Sequence, residues 1–108
     1  MILSFGDKNT ELVWNGKLVK GIPHSVQQIA RRKLRMLNNS NNINDLRVPP
    51  SNYLEKLKGD LKDLNSIRNN DTWRIVFKWD ISHSKNVKIL NYHSYGFIEK
   101  YSSRRSAS

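Results

Sequence analysis

The chain has 108 residues, a length that suits one compact domain, because two separate cores would each be too small to offset the entropy lost on folding. Its 19 lysines and arginines against 9 acidic residues give a net charge of +10, which favours a polyanionic partner such as RNA or DNA. The lack of cysteine excludes disulfides, thiolate metal sites and a cysteine nucleophile, and it fits the cytoplasm, where we expect the protein to act.

The first part of the sequence predicts two helices. Residues 2–5 form a brief apolar segment that suits an edge strand, and a first helix is predicted over residues 7–14, ending at Asn15-Gly16. After Pro23, apolar residues recur at steps of three and four, as on the buried face of an amphipathic helix. These residues are Val26, Ile29, Ala30, Leu34 and Leu37. A polar run of turn formers, residues 38–42, ends this second helix.

The opposite side of the second predicted helix carries a basic ridge with the same spacing. The ridge consists of Gln28, Arg31, Arg32 and Arg35. Charge on a helix surface usually serves only solubility, so a solvated face and an RNA-binding face are both open interpretations. On the second interpretation, the candidate RNA-binding residues are Arg31, Arg32 and Arg35, together with Lys78 of a predicted strand.

A change of period separates the helical part from a predicted sheet. One helical turn is predicted over residues 43–46, and Pro49-Pro50 then forces an extended or turning path. From Tyr53 onward the period is two, which predicts short strands joined by tight turns and therefore antiparallel pairing. The predicted strands are 54–58, 64–68, 73–79 and 87–92, and the predicted turns are 59–60, 69–71 and 82–84.

The third predicted strand alternates clearly between apolar and polar residues. Its large apolar residues face the helices, and they are Trp73, Ile75, Phe77 and Trp79. Arg74, Val76 and Lys78 lie on the other face, so the alternation places Arg74 on the exposed side of the sheet.

The last residues, 96–108, differ in composition from the rest. They are basic and rich in serine and contain too little apolar surface to pack, so we expect a flexible tail or an arm ordered by a partner. No membrane partner is predicted, because no apolar run reaches spanning length and residues 1–7 are too short and lack the basic residues of a signal peptide.

Basic residues near the predicted strand ends suit cleavage of RNA. When a ribose 2′-hydroxyl attacks the adjacent phosphate, Lys58, Arg68 and Arg74 can stabilise the developing negative charge. His93 is the one histidine in a plausible acid/base position, because an imidazole can give or take a proton near neutral pH. Scattered histidines and unclustered acidic residues argue against metal catalysis, and the lack of a glycine-rich loop argues against a nucleotide cofactor. No cofactor is predicted.

Each candidate also has a purely structural interpretation. Lys58 is equally compatible with a solvated strand end. Arg68 and Arg74 are equally compatible with cross-strand pairing to Asp71 or Asp60. An aromatic residue on a half-buried strand, such as Tyr92, is more often a packing residue than a catalytic one. The sequence leaves these alternatives open.

Six blocks of sequence, in a fixed order, connect the chain to a known group of proteins. They are Ile22-Pro23, Arg32–Leu37, Asp45–Pro50, Leu57–Asp60, Ser66–Ile75 and Asn91-Tyr92-His93. Over about residues 1–93 the chain resembles the HigB toxins of the RelE/ParE superfamily. The resemblance implies a toxin domain over residues 1–95 with a microbial RNase-like α+β fold, in which two N-terminal helices pack on a twisted antiparallel sheet of four to five strands.

The resemblance also implies a function. It indicates the toxin of a type II toxin–antitoxin system, a metal-independent, ribosome-dependent endoribonuclease that cuts mRNA in the ribosomal A site. Its partners would be the small ribosomal subunit, mRNA and a HigA-type antitoxin with a helix-turn-helix domain, and operator DNA would be bound only through the toxin–antitoxin complex. A second interpretation stays open, because the superfamily also contains non-catalytic ParE-like inhibitors of DNA gyrase.

Carried over by motif, five residues form the predicted catalytic set. Lys58, Arg68 and Arg74 match the basic phosphate-binding positions of the family, and Tyr92 and His93 match its terminal Tyr-His pair.

Three positions depart from the family pattern. Asn91 stands where relatives commonly have aspartate, and an amide cannot accept a proton. Leu61 stands where relatives often have a further basic residue. Some relatives place a histidine near Glu55, which makes its carboxylate a candidate base. The possible acid/base positions are Glu55, whose carboxylate can act as a base, and Asn91, which occupies the position of the family's aspartate but lacks its carboxylate.

Overall fold

The computed structural model describes residues 1–93 and Tyr101. Helix α1 spans Lys8–Trp14 and begins after Asp7, whose side chain accepts a hydrogen bond from the Thr10 N–H at 2.8 Å. It is followed by Gly16 with φ +82°, a left-handed conformation that glycine adopts without steric cost. Helix α2 spans His24–Asn39. Both helices lie where the sequence predicted them.

Arg31 of α2 does not belong to an exposed ridge. Its Nε donates to the Val13 carbonyl at 3.2 Å and its Nη2 donates to the Lys17 carbonyl at 3.0 Å. The side chain therefore satisfies carbonyl groups at the end of α1 and just beyond it, and our prediction that Arg31 points to solvent is wrong. Arg32 and Arg35 are exposed, as predicted.

The strands form an antiparallel sheet in sequence order. They are β1 (Glu55–Lys56), β2 (Leu64–Arg68), β3 (Trp73–Asp80) and β4 (His83–Asn91). Short 3-10 turns lie between α2 and β1 at Ile43–Arg47 and Pro50–Asn52, and between β1 and β2 at Gly59–Leu61. Within the described residues, two α-helices packed on this four-stranded sheet confirm the predicted α+β class.

Two strands differ in length from the prediction. β1 has two residues where five were predicted, and β4 begins at His83, so the predicted turn at residues 82–84 is largely strand. The sharp reversal occurs at Ile81, with φ +57°. The early part of β4 lacks apolar alternation, but it pairs with the end of β3 on one side, and on the other side the Leu3 N–H donates to the Ser84 carbonyl at 2.8 Å. The predicted edge strand at residues 2–5 is present only as isolated parallel bridges to β4.

The sheet separates a main core from a smaller apolar cluster. The main core lies between helices and sheet and consists of Val13, Val26, Ala30, Leu34, Leu37, Leu46, Ile67, Ile75, Phe77, Val87 and Ile89. On the other face, Leu57, Val76 and Tyr92 form a second buried cluster. This face is therefore covered near its centre, where Arg74 is only 2% exposed. Alternation correctly predicts the face that carries Arg74, but our prediction that Arg74 is exposed is wrong.

Two sequence-based expectations concern residues that lie mostly outside the described part of the chain. The predicted tail, residues 96–108, and the last two residues of the predicted toxin domain lie outside them, apart from Tyr101. None of the described helices is both long and apolar enough to cross a bilayer.

Candidate active site

The face of the sheet turned away from the helices carries most of the predicted site. Cross-strand register places Glu55 opposite Ser66, and Arg68 opposite Arg74. Side chains at directly opposed positions lie on the same face, and residues two apart in a strand share that face too. Three strands therefore contribute polar side chains to one surface, and Tyr92 joins them just after the end of β4.

The guanidinium of Arg74 is the centre of this surface. Its Nε donates to Ser66 Oγ at 3.1 Å, and its Nη2 donates to the Ser66 carbonyl at 3.3 Å and to the Tyr53 carbonyl. Its Cζ also lies 5.2 Å from the centroid of the Tyr92 ring, within cation–π range. These contacts hold the guanidinium in one orientation below the surface.

The hydroxyl of Tyr92 links Arg74 to a buried carboxylate through Ser66. It lies 2.7 Å from Glu55 Oε1 and 2.8 Å from Ser66 Oγ. The Tyr92 hydroxyl donates to the Glu55 carboxyl oxygen. Burial, together with the Glu55 carboxylate, raises the pKa of Tyr92 well above its ordinary value. The Tyr92 hydroxyl is therefore a fixed donor at neutral pH and not a proton acceptor.

Glu55 lies inside this network and is only 7% exposed. Ser66 Oγ lies 3.3 Å from the same Glu55 oxygen that Tyr92 contacts. A buried carboxylate is stable only where hydrogen bonds and an opposite charge compensate its desolvation, and here hydroxyl groups and Arg74 supply them. We name Glu55, Ser66, Arg74 and Tyr92 the buried network.

A second, exposed group lies at the turn between β2 and β3. Arg68 Nη2 forms an ion pair with Asp71, whose side chain is 92% exposed. His93 Nε2 lies 3.2 Å from the Asp71 carbonyl oxygen. Arg68 and His93 therefore contact the same residue, and the pairing of Arg68 with Asp71 that the sequence left open is present. Exposed ion pairs contribute at most about 1 kcal/mol, so Arg68 can exchange Asp71 for a phosphate at little cost.

Lysine 33 of α2 adds positive charge near this exposed group. Lys33 Nζ donates to Asn52 Oδ1. Burial, with the nearby charges of Arg32 and Arg68, lowers the pKa of Lys33 below its ordinary value. Sequence reasoning missed Lys33 because it belongs to neither the apolar stripe nor the basic ridge of the helix.

Lys58 lies toward the other end of the sheet. The N–H of the preceding residue, Leu57, donates to the Leu64 carbonyl at 2.9 Å, and Arg68 stands four residues further along β2. At about 3.3 Å per residue, Leu64 and Arg68 are about 13 Å apart. The structure therefore brings Arg68 close to Arg74 and to His93, whereas the backbone of Lys58 lies about four residues along the sheet from Arg68. The Lys58 N–H donates to the Tyr101 carbonyl at 2.8 Å.

The remaining predicted residues lie at the margins. Lys78 is exposed and stands opposite Leu64, at the same end of the sheet as Lys58. The Asn91 side chain accepts a hydrogen bond from the His93 N–H at 2.9 Å, so it shapes the chain beside the imidazole. In the part of the chain that the structure describes, no three histidine or acidic side chains are grouped to hold a metal ion.

Comparison with known proteins identifies the family. A family model described as the RelE-like toxin HigB of type II toxin–antitoxin systems matches residues 3–95. The chain belongs to this family. Toxin HigB-1 of Vibrio cholerae is 40% identical to it over 80 residues, which cover 73% of this chain and 84% of the relative. An uncharacterized protein of Haemophilus influenzae is 40% identical over 74 residues, which cover 68% of this chain and 72% of the relative.

This HigB-family toxin is the toxin component of a type II toxin–antitoxin system, and that membership implies an antitoxin partner. Two residues of its site carried no signal in the sequence. Ser66 is a small polar residue in a strand, and only the register shows that it connects Glu55 with Arg74. Tyr53 precedes the strands, and only the structure shows that its carbonyl accepts a hydrogen bond from Arg74 and that its ring lies near the guanidinium of Arg68.

Proposed function

We propose that this toxin is a ribosome-dependent endoribonuclease that cuts mRNA in the ribosomal A site without a metal ion. The observation that supports the proposal is that half-buried Arg68 and exposed His93 share Asp71 as a neighbour beside the buried network. A cation and an imidazole at one edge are the groups that transfer of a phosphate to a 2′-hydroxyl requires. Its site of action would then be the cytoplasm.

In this proposal the exposed residues contact RNA and the buried ones position them. The ribose 2′-oxygen bonds to phosphorus while the bond from phosphorus to the 5′-oxygen breaks. His93 accepts the 2′-hydroxyl proton or donates a proton to the leaving 5′-oxygen, water exchanges the other proton, and Arg68 stabilises the extra negative charge on the phosphate. Arg74, Glu55 and Tyr92 are positioning residues, because their polar groups are engaged with one another below the surface. This differs from the predicted set, in which Arg74 and Tyr92 contact the substrate.

The other basic residues would bind neighbouring phosphates. Lys58 and Lys78 lie toward the other end of the sheet from Arg68, while Arg32 and Arg35 present charge on the exposed side of α2. Such contacts supply affinity that does not depend on sequence and weakens with salt. They suit binding to mRNA and to the RNA of the small subunit.

Dependence on the ribosome follows from the small number of exposed acid/base groups. In the described part of the site, Glu55 and Tyr92 are buried and Asn91 is an amide, so His93 has little help in orienting the reacting 2′-hydroxyl. A substrate held in a fixed conformation would supply that orientation. We therefore expect purified toxin to cut free RNA poorly, and a HigA-type antitoxin to neutralise it.

The test is to map RNA 5′ ends after a defined mRNA is translated with purified toxin. We expect new ends within codons, and His93→Gln should lower the cleavage rate by about 100-fold or more, the usual contribution of a general acid or base. His24→Gln is the matched control, because His24 is an exposed histidine at the start of α2, and it should cut normally. Intact mRNA, together with gyrase-dependent DNA breaks in cells, would instead support the ParE-like alternative.

A further inference from the structure

Tyr53 has an unfavourable backbone and an exposed ring. Its φ is +44° and its ψ is +56°, in the left-handed region, and the residue is 49% exposed. Side chains make this conformation costly, and glycine would adopt it freely. Backbone strain of this kind is concentrated at functional sites. A tyrosine at a position that favours glycine therefore suggests that its side chain has a function.

Hydrogen bonds hold both the N–H and the carbonyl of Tyr53. Its N–H donates to the Pro50 carbonyl at 3.0 Å, and its carbonyl accepts from Nη2 of Arg74. The Tyr53 ring therefore starts from a backbone that is anchored to the buried network. An aromatic ring that is ordered before binding loses little entropy when a ligand packs on it.

The ring also lies beside the half-buried Arg68 cation. The guanidinium carbon of Arg68 is 5.9 Å from the centroid of the Tyr53 ring. Aromatic rings next to arginine are the usual platform for unpaired bases, because a base can stack on the ring while the cation binds its phosphate. A ligand that suits both groups is a nucleotide of a single-stranded RNA.

We propose that Tyr53 stacks on the nucleobase next to the RNA bond that is cut, a role that rests on the proposed nuclease function. Arg68 then binds the phosphate, and Tyr53 fixes the rotation of the adjoining nucleotide. Because every base has a flat face, this contact adds affinity and orientation without selecting a base. Stacking on Tyr53 thus determines which phosphodiester bond lies at Arg68 and His93, whereas other contacts determine the codon preference.

Binding can be measured without cleavage. The probe is a short 2′-O-methyl RNA, which lacks the attacking hydroxyl, and the readout is fluorescence anisotropy. Tyr53→Phe keeps the ring and should bind within about twofold of wild type. Tyr53→Leu should bind about tenfold more weakly, within the range of roughly 5- to 150-fold that loss of one stacked base produces. Equal affinity of wild type and Tyr53→Leu would overturn the proposal.

Glycine variants separate the ring from the backbone. Tyr53→Gly should lose RNA affinity as Tyr53→Leu does, yet its melting temperature should stay level or rise, because glycine relieves the left-handed conformation. Ile81→Gly is the matched control: Ile81 has φ +57° and is 89% exposed at the β3–β4 turn, away from the site. It should also keep its melting temperature, and it should retain full RNA affinity. Loss of RNA affinity in Ile81→Gly equal to that in Tyr53→Gly would contradict a specific role of the Tyr53 ring.

A cleavage experiment locates the stacked base. Two ribosome-bound mRNAs are compared, one with an abasic nucleotide before the cut and one with an abasic nucleotide after it. Wild type should cleave one of the two about tenfold more slowly than intact mRNA. At that position Tyr53→Leu should show no further loss, since the contact is already absent. Additive losses would refute the stacking contact. If wild type cuts no mRNA, the nuclease function fails, whereas normal cutting and binding by Tyr53→Leu would reject the stacking role alone.

Discussion

Arg74→Ala is expected to destabilise the fold as well as the active site. The Arg74 side chain is buried, and it donates to the hydroxyl and carbonyl of Ser66 and to the carbonyl of Tyr53. Alanine would leave these acceptors buried, remove the cation that balances Glu55 in the network, and open space beside the Tyr92 ring. Removing one partner from a buried ionic network typically costs about 3–5 kcal/mol.

A loss of that size is a large fraction of the total. A domain of this length has a free energy of unfolding of about 5–15 kcal/mol. Small domains lose about 4–8 °C in melting temperature for each kcal/mol, so Arg74→Ala should lower the melting temperature by about 12 °C or more. Toxicity of this variant should therefore be compared with wild type only together with its measured stability.

Urea denaturation followed by tryptophan fluorescence measures the effect, since the chain has three tryptophans. Arg68→Ala is the matched control, because its ion pair with Asp71 is exposed and its loss should cost about 1 kcal/mol or less. Arg74→Lys should fall between wild type and Arg74→Ala, because lysine keeps the charge without the planar fork. A free energy of unfolding for Arg74→Ala within about 1 kcal/mol of wild type would refute this account of the buried network.

Two further predictions concern Tyr92 and Lys58. Because burial raises the pKa of Tyr92, the unfolded chain loses this proton at a lower pH than the folded chain, so wild-type stability should fall as the pH rises above about 10. Tyr92→Phe should show a smaller fall when urea curves at about pH 9 and pH 11 are compared, and parallel losses would contradict the assignment. Lys58→Ala should lower kcat/KM on ribosome-bound mRNA less than Arg68→Ala does, and a larger loss would place Lys58 at the cut phosphate.

Local patterns in the sequence were sufficient for most of the fold. Spacing of apolar residues and the turn formers around Gly16 correctly predicted α1 and α2, and two-residue alternation predicted β2 and β3. Where alternation is weak the prediction was wrong, as at the start of β4, because backbone pairing with β3 and with the distant N-terminal segment forms that part of the strand without apolar alternation. The charge of +10 and the ordered blocks were sufficient to predict the toxin family.

The sequence by itself determined the types and order of the elements and the family, because helix and strand periodicity, capping and motif order are properties of neighbouring residues. Only the tertiary structure decided which polar side chains meet. Arg74 is buried and not exposed, Ser66 connects it to Glu55, and Lys58 lies away from Arg68. These outcomes depend on strand register and on what covers each face, and both arise from contacts between residues far apart in the chain.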